Sequence, residues 1–252
     1  MTTTIAVAGK GGTGKTTIAA LIIKLLAPKG VVLAIDGDPS TNLHMSLGLP
    51  LNETIGNVRE EMLEAVRTGR YDSSIPKMDY VGLKISEALA ESERIDLLAM
   101  GRPEGPGCYC ASNEMLRFSI DRLAKNYDYV VIDCEAGMEH ISRQTTQDID
   151  ILLTISDPTM KGIITAARMK ELIAELRARV GRICLILNRT NGAPPPQLAK
   201  AIDQFGLELI GILPEDAMLK ELEVAGTPVT ELPPDSPLQL GVAEIAKKLG
   251  LI

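Results

Sequence analysis

Nine residues near the start of the chain, Gly9-Lys10-Gly11-Gly12-Thr13-Gly14-Lys15-Thr16-Thr17, constrain its fold more than any other stretch. They fit the phosphate-binding pattern G-x-x-x-x-G-K-[ST]. The apolar run Ile5-Ala6-Val7-Ala8 precedes them, and the helical pattern from Ile18 to Leu26 follows. Strand, glycine loop and helix in that order are the context in which this pattern cradles a phosphate. Gly11, Gly12 and Gly14 let the backbone curl until several N–H groups face one anion, and the helix start adds its partial positive charge. In such a cradle Lys15 reaches the β/γ-phosphates and the Thr16 hydroxyl ligates Mg²⁺, with Thr13 and Thr17 also candidate nucleotide-binding residues. The second lysine, Lys10, is unusual inside the loop.

A strand and helix joined this way belong to β-α-β architecture, and the rest of the chain supports it. With 45% hydrophobic residues, 3% aromatics and no Trp, the core has to be built from Ile, Leu, Val, Ala and Met, which suits closely wound β-α-β units. The expected fold is α/β, a mostly parallel β-sheet with helices on both faces. A chain of 252 residues accommodates this as one P-loop domain over residues 1–252. The net charge of -7, without any Lys/Arg cluster to offset it, argues against nonspecific nucleic-acid binding. No apolar stretch approaches the ~18 residues of a membrane span, and the start has no signal-peptide pattern, so a cytoplasmic protein without a membrane partner is expected.

Val31-Val32-Leu33-Ala34-Ile35 is a continuous apolar run that delivers Asp36-Gly37-Asp38-Pro39 to a loop. Ligands in open α/β sheets sit at the carboxyl ends of strands, so Asp36 or Asp38 could touch Mg²⁺ or orient an attacking water. Tyr129-Val130-Val131-Ile132 delivers Asp133 in the same way, matching the Walker B role of a carboxylate at Mg²⁺. Gly137 adds freedom to a loop that could respond to the γ-phosphate. Arg182 to Leu187 leads to Asn188, whose amide could pair with a base edge, a turn-forming role being an equal alternative. Further strands are expected at Ile95 to Met100, Ile149 to Ile155 and Glu208 to Leu213, and Val81-Gly82-Leu83-Lys84-Ile85 alternates like an edge strand. Helices are expected at Thr54 to Val66, Thr159 to Arg179, Asp216 to Val224 and Pro237 to Leu249. His44 reads as a solvated histidine in a mobile loop, and Cys134 and Cys184 as packed in the core.

Cys108-Tyr109-Cys110 lies in a loop of three glycines and two prolines, again after a strand. In a cell interior such cysteines are reduced, catalytic or metal-binding. A loop can turn both sulfurs toward one ion, but two thiolates are half of a tetrahedral shell, and the same pair from a second subunit is the simplest completion. Two reduced cysteines or a redox pair fit the spacing equally.

Taken together, Lys10, Asp36/Asp38, Asp133 and Asn188 resemble the deviant Walker A class of dimeric ATPases, which includes the nitrogenase iron protein and MinD/ParA proteins; the likeness runs from Thr4 to about Asp216. It implies ATP and ADP as ligands, a homodimer, Lys10 reaching the phosphates of the partner chain, and Asp38 orienting the water. It also implies a second switch at Asp133 and Gly137, with adenine held by Asn188 and the Pro214 region. Within that class, the segments Gly105 to Cys110 and Glu135 to His140 are similar to the CooC-type nickel-insertion ATPases of carbon monoxide dehydrogenase. That likeness implies one Ni²⁺ or Zn²⁺ held between two subunits by Cys108 and Cys110, and carbon monoxide dehydrogenase or a related nickel enzyme as partner. Two other readings remain: an iron-sulfur electron carrier like the nitrogenase iron protein, with Cys134 joining Cys108 or Cys110, or a ParA/MinD-type positioning ATPase.

Overall fold

The computed structural model describes residues 2–71, 74–102, 118, 120–135, 148–176 and 179–252. Its centre is β1 (Thr3–Gly9), whose residues from Thr4 to Gly9 are all buried. Around it lie β2 (Val32–Asp36), β3 (Ile95–Ala99), β4 (Tyr129–Asp133), β5 (Asp148–Ser156), β6 (Arg179–Leu187) and β7 (Glu208–Ile212). They form one seven-stranded sheet in the order β3-β2-β4-β1-β5-β6-β7, and every pairing is parallel. Parallel strands covered on both faces have no solvated side, so the runs read from the sequence are apolar at consecutive positions rather than at alternate ones.

The pleat divides these residues between two cores. Ile5, Val7, Ala34, Val131 and Leu153 face α1 (Lys15–Leu26), α2 (Leu43–Leu47) and the C-terminal helix Pro237–Lys248. Ala6, Ala8, Leu33, Ile35, Val130 and Ile132 face the other way, toward α3 (Ile55–Arg67), α4 (Lys77–Glu87) and α5 (Met160–Leu176). The α/β architecture with helices on both faces is the expected one. Further helices are α6 (Pro196–Gln204), α7 (Ala217–Ala225) and α8, the C-terminal helix already given.

Three local expectations are corrected. Val81 to Ile85 is not a strand but the middle of α4: Val81 and Ile85 are buried four residues apart, while Leu83 between them is 56% exposed. That is helical burial, and the salt bridges of Lys84 to Glu61 of α3 and to Glu87 fix its outer face. The helix expected to reach Arg179 ends at Leu176, and Arg179 already opens β6, in register with Asp148 of β5. His44 is not in a loop. It lies in α2, and its Nδ1 is 2.6 Å from the Thr41 carbonyl.

All seven parallel strands end at one rim. Gly9, Asp36, Asp133 and Asn188 therefore arrive together.

Candidate nucleotide-binding site

The glycine loop leaves β1 at Gly9, where a Cβ would sit 2.3 Å from the Ile155 carbonyl of β5, so no other side chain fits between these strand tips. Gly12 and Gly14 take φ of 79° and 90°, the left-handed region that glycine enters without strain. The turn between them closes on one carbonyl. Lys10 O accepts from Thr13 N at 3.4 Å, Thr13 Oγ1 at 2.8 Å and Lys15 Nζ at 3.5 Å. Lys15 is thereby folded inward and buried, while Lys10, Gly11 and Gly12 form an exposed rim. Helix α1 begins without a side-chain cap and without an acidic residue in its first turn. Its positive end is left open to an anion.

Thr16, in that first turn, donates its hydroxyl proton to Asp133 Oδ2 at 2.5 Å. Asp133 is 1% exposed, and its Oδ1 has no hydrogen-bond partner among the described residues. Burial pushes the Asp133 carboxyl up to about 7; the Thr16 bond and the Lys15 charge oppose the rise, and the charges of Asp36 and Asp38 add to it. A buried carboxylate oxygen without a partner, beside a threonine hydroxyl at the start of a phosphate-binding helix, suits a hard divalent cation such as Mg²⁺.

Asp36 and Asp133 are direct neighbours in the register of β2 and β4, yet their carboxylates are used differently. Asp36 is fully buried, and Oδ1 accepts from Asp38 N at 3.0 Å while Oδ2 accepts from Leu43 N at 2.9 Å. Asp38 is half-buried on the loop so enclosed, where its Oδ1 accepts from Ser40 N at 2.8 Å.

On the opposite side of the glycine loop, Asn188 reaches back from the end of β6. Its Nδ2 donates to the Thr13 carbonyl at 2.8 Å, and its Oδ1 accepts from Arg189 N at 3.0 Å. Together with Gly14, Thr17, Pro214 and Asp216 it lines a cleft of about 190 Å³. Arg189, to which sequence reasoning gave no role, also belongs here: its guanidinium donates to the Gly12 carbonyl at 3.0 Å. Its only sequence signal was its position immediately after a strand-end residue.

Residues 4–229 match the family model described as the CobQ/CobB/MinD/ParA nucleotide binding domain. The chain belongs to this family. It is a nucleotide-binding ATPase of the MinD/ParA type. The chain is 42% identical to an uncharacterized ATP-binding protein of Methanocaldococcus jannaschii, over 97% of each chain. It is 31% identical to the carbon monoxide dehydrogenase accessory protein CooC of Rhodospirillum rubrum, over 91% of this chain and 90% of that one. Its fold matches MinD of Pyrococcus horikoshii, a structure complexed with Mg-ADP, with a TM-score of 0.69 at 23% identity, covering 99% of this chain and 96% of that one.

For this MinD/ParA-type ATPase, the expected thiolate site at Cys108 and Cys110 lies outside the described residues, as do Gly137 and His140. Among the described residues no three His, Cys, Asp or Glu side chains are grouped to hold a metal ion. Cys134 is 2% exposed, and burial raises its thiol far above the ordinary value. Cys184 is fully buried in the other core. Both pack as expected. None of the helices described is long and apolar enough to cross a membrane.

Proposed function

We propose that this ATPase is a metallochaperone whose homodimer carries Ni²⁺ (or Zn²⁺) between the Cys108 and Cys110 pairs of its two subunits and passes it to carbon monoxide dehydrogenase or a related nickel enzyme. The observation that carries this reading is the similarity to the CooC accessory protein over nine-tenths of both chains, in a sequence that also holds Cys108-Tyr109-Cys110. The whole chain acts as one ATPase domain.

Within each subunit the rim supplies separate tasks. The loop from Gly11 to Gly14 and the open end of α1 receive the phosphates, and Lys15 exchanges the Lys10 carbonyl for them. Thr16 and Asp133 would hold Mg²⁺, which when bound would neutralise phosphate charge. Asp38 orients the attacking water. Asn188 and Pro214 shape the adenine cleft, with Thr17 at its phosphate end. Lys10 reaches across to the partner's phosphates, so that ATP draws the subunits together and brings four thiolates around one ion; hydrolysis then releases the closure.

Burial of Cys134 in the core speaks against a cluster ligand there, and so against the iron-sulfur carrier. The reading is tested by metal analysis of the purified dimer with and without ATP. Replacing Cys108 and Cys110 together by Ser should remove stoichiometric Ni²⁺ or Zn²⁺ and leave ATP binding intact. Unchanged metal content would refute it.

A further inference from the structure

The sequence pairs Asp36 with Asp38 as interchangeable ligands, and the structure separates them. Asp36 is 0% exposed. Each of its oxygens accepts a backbone N–H, one from Asp38 and one from Leu43, so the carboxylate closes the loop 37–43 at both ends. Leu43 is the first residue of α2 and is itself fully buried, which fixes the far end of the loop against the core. The near end is fixed to the neighbouring strand: Gly37 N donates to the Asp133 carbonyl at 2.8 Å, and a Cβ on Gly37 would stand 3.0 Å from that oxygen. A side chain there would push the loop off the Asp133 strand.

Inside the loop, Thr41 holds a left-handed φ of 49° with its N–H on the Asp38 carbonyl and its own carbonyl against His44 Nδ1. A threonine enters that region at a cost, so the surrounding bonds must impose it. They impose one conformation on the segment that carries Asp38.

We infer that Asp36 is a positioning residue: its buried carboxylate holds the Asp38 loop in register with Asp133, and it touches neither nucleotide nor metal. This rests on the reading of Asp38 as the residue that orients the water. The chemistry requires a carboxylate at Asp36, because two donors converge on it. An amide in its place offers one acceptor and turns an N–H toward the other backbone N–H. The loop is then released at one end while the P-loop, which Asp36 does not contact through any of these bonds, is left unchanged.

The test compares Asp36→Asn with Asp38→Asn in the full-length protein, measuring ATP affinity, steady-state hydrolysis and backbone amide exchange. Asp36→Asn should bind ATP within about twofold of the parent, lose roughly 100-fold in kcat, and exchange faster at residues 37–43 while β4 and α1 stay protected. A kcat equal to the parent's, beside an inactive Asp38→Asn, overturns the inference alone. Full activity in Asp38→Asn overturns the reading of Asp38 and the inference with it. If Asp36→Asn does not fold, amide exchange in the unaltered protein decides: protected Asp38 and Leu43 amides support the clasp, and exchange at free-peptide rates overturns it.

Discussion

The Thr16 hydroxyl donates to the Asp133 carboxylate at 2.5 Å, joining the first turn of α1 to the tip of β4 across 117 positions of chain. This contact leaves Asp133 Oδ1 without a partner among the described residues. A group whose neutral form is favoured by folding makes stability depend on pH and on whatever cation replaces the proton.

Burial raises the folded-state pKa of Asp133 from an ordinary 3.8 to about 7. For an acid raised in this way, stability is fullest below about pH 4 and falls through the window up to about pH 7, beyond which both states are ionised. Asp133→Asn should therefore match or exceed the parent in melting temperature at pH 8 without Mg²⁺, and lose that advantage toward pH 5. Added Mg²⁺ should raise the parent's melting temperature and not the variant's. A metal-free parent more stable than Asp133→Asn at pH 8 would contradict the assignment.

Lys10 sits on the exposed rim of the glycine loop, and the three donors that close the loop use its carbonyl, not its side chain. Lys10→Ala should keep the ATP dissociation constant of the monomer within about twofold, as surface truncations do. ATP-dependent dimerisation should disappear, as judged by light scattering across a concentration series. Normal dimer formation would remove Lys10 from the subunit interface.

Gly14 and Asn188 share one contact: a Cβ on Gly14 would lie 2.6 Å from the Asn188 amide nitrogen, at a φ of 90°. Asn188→Ala leaves the buried Thr13 carbonyl without its donor, which should weaken ADP binding by about tenfold. Gly14→Ala should weaken it at least as much, because the new methyl drives Asn188 away. The double variant should fall short of the product of the two effects, since both break one bond. Calorimetric titration of ADP measures this, and full additivity would show that the two residues act separately.

Asp216 ties two helix starts together. Oδ1 accepts from Met218 N and Leu219 N of α7, and Oδ2 accepts from Ser236 Oγ and Leu238 N at the start of α8. Burial alone would raise its pKa, but the Ser236 and backbone bonds outweigh it, and the net shift is downward. Stability from this group is present above the ordinary carboxylate pKa and is lost as acid titrates it. Asp216→Ala should cost about 3 kcal/mol at neutral pH in urea unfolding, with a smaller difference below pH 3. A loss under ~1 kcal/mol would mean that solvent replaces the clasp.

What the sequence reveals here follows from burial. β2, β4 and the second half of β6 are covered on both faces, so their apolar runs are unbroken and the polar residue that ends each run marks the rim: Asp36, Asp133 and Asn188 are legible for that reason. The α4 segment misleads because Val81, Leu83 and Ile85 alternate, yet only Val81 and Ile85 face the core; Pro76 and Asp79 were its helix-start signals. Helix α2 is one turn long and shows only Leu43, Leu47 and the left-handed Gly48 that ends it. The division of labour inferred for Asp36 and Asp38 leaves no trace in residue type, since both are aspartates, two positions apart. Burial and the direction of two backbone N–H groups distinguish them.

The first strand of the chain lies in the middle of the sheet, bonded on one side to residues up to Asp133 and on the other to residues up to Ile155. Such long-range pairings are slow to form and close late. A chain emerging from the ribosome therefore makes its phosphate loop early but has no neighbouring strand for it on either side until just over half of the protein has been synthesised. The order of the strands thereby ties completion of the phosphate site to synthesis of the second half of the chain.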